Sequence, residues 1–161
     1  MPDLISHAMS GYLARPTAER RTLLLTVAGT VLPDLGRVPD LALATFWPAL
    51  RYSLPDWLFD GLGISHTILP LLLICWVVSF LAPRPELRRH LFGCLLLGGG
   101  LHLAFDYLQR HLFWDYTPLY PLSSAGWEAG LFWSEDALFY IFPAMSVLTL
   151  AMWMFQRRKA S

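Results

Sequence analysis

Charge is what this sequence has least of. Of its 161 residues only 15% are Asp, Glu, Lys or Arg while 55% are hydrophobic, a balance too oily for an ordinary soluble domain. The 12 basic and 12 acidic residues cancel, and there is no long basic run, which excludes the electrostatic footprint of a nucleic-acid-binding protein. Cysteine is scarce as well. Cys75 and Cys94 each lie inside an apolar run, so both are expected to behave as small hydrophobes rather than as a disulfide or metal ligands. The opening Met-Pro-Asp-Leu-Ile-Ser-His lacks the basic and then apolar regions of a cleaved signal, so the whole chain is expected to be mature protein. Internal repeats and low-complexity tracts are missing too.

What is present is apolar length. The expected fold is all-α: a single membrane domain over residues 1–161, an integral helical bundle with about four or five membrane-embedded segments and two aromatic-rich outer loops. A short mixed segment covers 4–14, and Thr17 reads as the N-cap of a helix over 18–33, with Pro33 near its exit and Asp34 beyond. Spans are expected over 64–82, 90–108 and 137–156. The loops are 36–63, with Trp47, Trp57, Asp56 and Asp60, and 109–136, with Trp114, Tyr116, Tyr120, Trp127 and Trp133; their Trp and Tyr suit the headgroup level. If the turns at 15–21 and 83–90 and the C-terminal tail share one side, that side holds Arg15, Arg20, Arg21, Arg84, Arg88, Arg89, Arg157, Arg158 and Lys159, leaving Arg37, Arg51 and Arg110 for the other. By the positive-inside rule the first side, and the C-terminus with it, is cytoplasmic.

The chemistry gathers at Gly98-Gly99-Gly100-Leu101-His102-Leu103-Ala104-Phe105-Asp106. On a helix, His102 and Asp106 leave one face a turn apart, and ionisable groups at membrane depth are costly unless they face a cavity, a partner or an ion. The glycines are expected to allow close helix packing beside the pair. Counting helix rise from the basic turns brings His7, Asp34, His66 and Asp136 to the same outer level. Imidazoles mixed with carboxylates suit zinc and related divalent ions in sites that keep a position open for water. Each residue also has a plainer reading: His102 with Asp106 as a buried hydrogen-bonded pair, Asp34 and Asp136 as helix-terminal residues, His66 and His7 as packed or interfacial histidines, and His111 as an interfacial residue. His90 belongs to the basic turn.

In order along the chain, Ser6-His7-Ala8, Leu32-Pro33-Asp34-Leu35, Ser65-His66-Thr67-Ile68-Leu69, His102-Leu103-Ala104-Phe105-Asp106 and Thr117-Pro118-Leu119-Tyr120-Pro121-Leu122 resemble the membrane-bound metal-dependent hydrolases of bacterial inner membranes. The resemblance runs over roughly residues 6–140. It implies metal ligation by His7, Asp34, His66, His102 and Asp106, with Asp136 matching an Asp at the start of the last helix. Gly36 stands where the family has a second Asp, with Asp40 the nearest substitute, and the family's His-Arg-Gly segment is missing.

The reading is therefore a membrane-bound, metal-dependent hydrolase, with zinc as the expected ion and Asp34 or Asp136 as the proton acceptor. The site is expected on the outer side of the inner membrane, acting there on a lipid or lipid-linked ester or phosphodiester. Two rivals stand beside it: a non-catalytic small subunit of a larger membrane complex, with a structural metal or hydrogen-bond cluster, and a haem held by His66 and His102.

Overall fold

Runs rich in Leu, Ala, Val and Ile form the helices here and continue through Pro33, Pro70 and the glycines at 98–100, and Pro16 and Pro83 mark turns between them. The computed structural model describes residues 4–55, 64–110, 116–137 and 139–160. Along these the chain forms α1 (Leu4–Ala14), α2 (Arg20–Leu35), α3 (Val38–Phe46) and α4 (Pro48–Ser53), then a 3-10 turn at Ile64–His66 and α5 (Ile68–Ser79). Next come α6 (Pro85–Leu108), β1 (Gln109–Arg110), β2 (Phe132–Trp133), a 3-10 turn at Ser134–Ala137 and α7 (Ile141–Ala160). The two short strands pair in parallel, a small departure from an all-α fold.

α2 and α6 make the central pair, with α1 against α2 and α7, and α5 against α6. Glycine permits the close approach of that pair. A Cβ at Gly98 would stand 2.1 Å from the Thr26 carbonyl oxygen, and one at Gly29 would stand 2.6 Å from that of Leu95. Gly99 lies under the Leu71 side chain, whereas a Cβ at Gly100 would meet nothing within 4 Å. Two of the three tandem glycines thus serve packing, as small residues do between membrane helices, and the third faces open space.

Beside a buried apolar cluster of Leu71, Cys75, Leu95 and Leu103, the interior is rich in polar groups and the exterior in apolar ones. The buried side chains include Ser6, His7, Ser10, Thr22, Thr26, Thr30, Ser65, His66, Thr67, His102 and Asp106, while Leu24, Leu73, Trp76, Val77, Val147, Leu148, Leu150 and Phe155 are exposed. Several buried hydroxyls are satisfied locally: Ser10 donates to the His7 carbonyl at 2.7 Å, Thr26 to that of Thr22 at 2.9 Å and Thr30 to that of Val27 at 2.7 Å. An apolar exterior over a hydroxyl-rich interior is what a hydrocarbon surrounding selects.

The number of spans differs from expectation. Among the described residues one helix, α6, is long and apolar enough to cross a membrane, not four or five segments. Apolar runs overstate helical length. α5 has 12 residues, about 18 Å at 1.5 Å per residue, because its expected first turn is the 3-10 turn at Ile64–His66 and its helix stops at Ser79. α2 has 16 residues and starts on Arg20 and Arg21. α7 carries Arg157, Arg158 and Lys159 within its 20 residues. α2 also starts later than expected, with Glu19 rather than Thr17 at the cap, and runs through Pro33 so that Asp34 lies on the helix.

The described part of the 36–63 loop is largely helical, as α3 and α4. The second loop is tied to the end of α6 by backbone hydrogen bonds, Ala129 N–H to the Tyr107 carbonyl at 2.7 Å and Leu131 N–H to that of Leu108 at 2.9 Å. Asp56, Trp57, Asp60, His111 and Trp114 lie outside the described residues.

These contacts sort the basic residues from the acidic cluster. Gln156 donates to the Pro16 carbonyl at 2.6 Å, and Thr22 Oγ1 lies 3.1 Å from His90 Nε2. The 15–21 turn, the start of α6 and the end of α7 therefore share one end of the molecule. Asp34 and the last two turns of α6 occupy the other.

Candidate metal centre

At that second end the chain delivers His7 from α1, Asp34 from the last turn of α2, His66 from the 3-10 turn, and His102 and Asp106 from one face of α6. Two groups have ligand atoms lying within 4.8 Å of one another: His7, His102 and Asp106, and Asp34, His66 and His102. Asp136 is in neither. It is half-buried in the Ser134–Ala137 turn, where its carbonyl accepts the N–H groups of Phe139 and Tyr140, so it starts α7 without joining the cluster. Asp40, the nearest substitute for the missing second Asp, instead pairs with Arg51 between α3 and α4.

The distances are compatible with side chains arranged around an ion. His102 Nε2 lies 3.2 Å from Asp106 Oδ2, His66 Nε2 3.2 Å from Asp34 Oδ1, and His7 Nε2 3.5 Å from Asp106 Oδ1. His66 Nε2 to Asp106 Oδ2 and His102 Nε2 to Asp34 Oδ1 are both 3.9 Å. Charge-assisted N–H···O bonds are shorter, about 2.7–2.9 Å, whereas ligands about 2.0–2.1 Å from a tetrahedral zinc stand roughly 3.3 Å apart. Burial sharpens the point. His7 Nδ1 and Nε2, His102 Nε2 and Asp106 Oδ1 are buried without a hydrogen-bond partner, and each such atom costs about 1–3 kcal/mol if nothing occupies the space between.

The surroundings fix the tautomer of the central ligand. His102 Nδ1 is 2.7 Å from the Thr30 carbonyl, so it carries a proton, and Nε2 is the nitrogen that would face an ion. The His7 ring stacks on that of His102 with centroids 3.8 Å apart. The two groups share His102, which has one nitrogen to offer. The chain thus has a buried cluster of His and Asp groups able to hold a metal ion.

Asp34 differs from the others in exposure. Its side chain is 13% exposed, against 1–3% for His7, His66, His102 and Asp106. Burial raises the Asp34 carboxyl, but the His66 hydrogen bond and the nearby imidazoles more than offset it and hold the group below the ordinary carboxylate range, ionised at neutral pH.

Sequence reasoning missed Tyr116, which it took for a headgroup-belt residue. Its hydroxyl donates to Asp106 Oδ2 at 3.0 Å, and burial together with the Asp106 charge pushes the phenol above its ordinary range, keeping the donor protonated. The only hint was its place just before Thr117-Pro118. Tyr116→Phe removes this orienting bond and is expected to weaken zinc affinity about 10–100-fold, measured by competition with a chromophoric chelator. Unchanged affinity would show that Asp106 needs no such support.

A family model described as YdjM inner membrane protein matches residues 3–161. No curated protein and no solved structure matches the chain.

Proposed function

Since the chain belongs to the YdjM inner membrane protein family, we propose that its buried His–Asp cluster binds one divalent metal ion, zinc by donor chemistry, in a hydrolase acting on lipid esters or phosphodiesters. The observation that carries this reading is the set of buried, unpartnered donor atoms on His7, His102 and Asp106 facing one another. A divalent ion held there supplies Lewis acidity, lowering the pKa of a water and polarising a phosphoryl or acyl oxygen. His7, His66, His102 and Asp106 hold the site. Thr30 and Tyr116 orient it. Asp34, ionised and the most exposed member, accepts the proton of the attacking water from the open side.

The cation distribution supports an orientation. With Arg84, Arg88 and Arg89 at the start of α6, and the 15–21 turn and the end of α7 beside them, the positive-inside rule puts that end and the C-terminus in the cytoplasm. The cluster then opens at the outer interface, where lipid ester and phosphodiester groups lie. Reagents applied to intact cells should label Leu122→Cys and miss Ser161→Cys; the reverse pattern would invert the orientation.

The test of function joins metal content to turnover. Zinc is measured in purified wild type, His102→Ala, Asp106→Ala and His90→Ala, and each is incubated with phosphatidylglycerol vesicles whose products are resolved by mass spectrometry. Zinc is expected to fall sharply in the first two variants and to stay in His90→Ala, whose imidazole sits at the opposite end beside Thr22 and Cys94. A fatty acid or phosphoalcohol product should appear only in the proteins that retain zinc. Equal zinc in all four would remove the metal reading, and zinc without any product would favour the non-catalytic subunit.

A further inference from the structure

Between α5 and α6 runs an apolar groove of about 300 Å³, lined by Ile68, Leu71, Leu72, Leu96, Leu103 and Ala104, with Gly100 in its floor and Tyr107 at its upper end. We infer that this groove holds one acyl chain of a membrane lipid, with the lipid's ester and headgroup end delivered to the metal cluster; the second half of this statement rests on the function proposed above.

Three observations select that occupant. First, the groove lies on α6, the helix long and apolar enough to cross a membrane, in a chain of an inner-membrane family. At that depth the available filler is hydrocarbon. Second, its length fits one leaflet. From Leu96 to Tyr107 a helix rises about 16 Å, against about 15 Å for half of a hydrocarbon core some 30 Å thick. Third, it ends at the site. Tyr107, which lines its upper end, donates its hydroxyl to the carbonyl of His66, a cluster residue, at 3.2 Å. A chain lying in the groove therefore ends beside His66, a member of the cluster.

The glycines of α6 also explain why the groove exists. Gly98 and Gly99 are occupied by backbone and by Leu71, but a Cβ at Gly100 meets nothing within 4 Å. Gly93 is equally open but does not line the groove, so it supplies a matched control: the same side chain added to the same helix, at a position where it fills nothing.

The test uses zinc-loaded full-length protein in phosphatidylglycerol vesicles doped with the same lipid carrying a diazirine midway along one acyl chain. Adducts are mapped by mass spectrometry after illumination, and bound zinc is measured in parallel. In wild type and Gly93→Leu the adduct is expected on the peptides containing Leu72, Leu96 and Leu103. Gly100→Leu should lose it while keeping its zinc, and Ala104→Leu, one turn further along the groove, gives the same result if Gly100→Leu does not fold. Adducts that persist in both groove variants, or that spread evenly over the lipid-facing side chains of α6, would overturn the inference. So would a chain-to-chain cross-link in place of the lipid adduct, which would give the groove to a second copy. Wild type with the groove adduct but no zinc would leave the groove standing and remove the metal reading instead.

Discussion

Chelation is expected to lower the thermal midpoint of the detergent-solubilised, zinc-loaded protein, and Asp106→Asn is expected both to lower the midpoint of the metal-loaded protein and to blunt its response to chelator. Asp34 and Asp106 both lie within 4 Å of the His66 and His102 imidazoles, where a bound cation would offset their repulsion and desolvation. An ion that binds only the folded chain stabilises it by RT ln(1 + [L]/Kd), about 4 kcal/mol at a thousandfold excess over Kd. That is a large part of the 5–15 kcal/mol, roughly, that separates folded from unfolded chains. A hydrogen-bond knot predicts the opposite. The amide oxygen introduced by Asp106→Asn could still accept the Tyr116 hydroxyl, so the substitution would be tolerated and the chelator would do nothing. Melting curves of wild type and variant, with and without chelator, separate the two. An unchanged wild-type midpoint after verified metal removal would sink the ion-dependent account.

The cluster was readable from the sequence because helix rise converts residue number into depth. Once the basic turns at 15–21 and 83–90 are set at one end, His7, Asp34, His66, His102 and Asp106 must come out near the other, and in the structure they form two groups of three that share His102. Asp136 shared their level but not their position, since order and spacing fix height along a bundle and say little about where a loop lies around it. Tyr116 escaped for a related reason. Its role depends on how the second loop crosses the end of α6 through the Ala129 and Leu131 hydrogen bonds, and no periodicity encodes that crossing.

The membrane segments failed differently. Apolar composition marks which residues avoid water without fixing how many of them are helical, so the 64–82 stretch, expected to span, contributes only 12 helical residues after a 3-10 turn. The polar part of the interior was partly visible in the Ser and Thr residues of α1 and α2. Ser6 and Ser10 on α1, and Thr22, Thr26 and Thr30 on α2, repeat at four-residue steps, close to the period of a helix face. A stripe of hydroxyls in an oily chain marks the face turned away from lipid, and it is buried here.

The largest effect of a single methyl group is expected at Gly98. An added Cβ there would stand 2.1 Å from the Thr26 oxygen, 2.7 Å from the Thr30 nitrogen and 2.8 Å from the Gly29 carbonyl carbon. All three are backbone atoms of α2, so no side-chain rotation relieves the clash and the two helices must part. Overpacking of this kind costs about 1–3 kcal/mol, occasionally more. The functional loss should exceed that, because α2 carries both Asp34 and the Thr30 carbonyl that orients His102, and metal–ligand distances tolerate only about 0.2 Å. Gly98→Ala is therefore expected to keep its helical circular dichroism in detergent while losing bound zinc. Gly99→Ala, which meets only the rotatable Leu71 side chain, should keep zinc at a modest cost in midpoint. Gly100→Ala, which meets nothing, should match wild type in both. Zinc content and melting curves across this three-residue series check the account residue by residue. Full zinc in Gly98→Ala would mean that the α2–α6 contact does not hold the two halves of the site together.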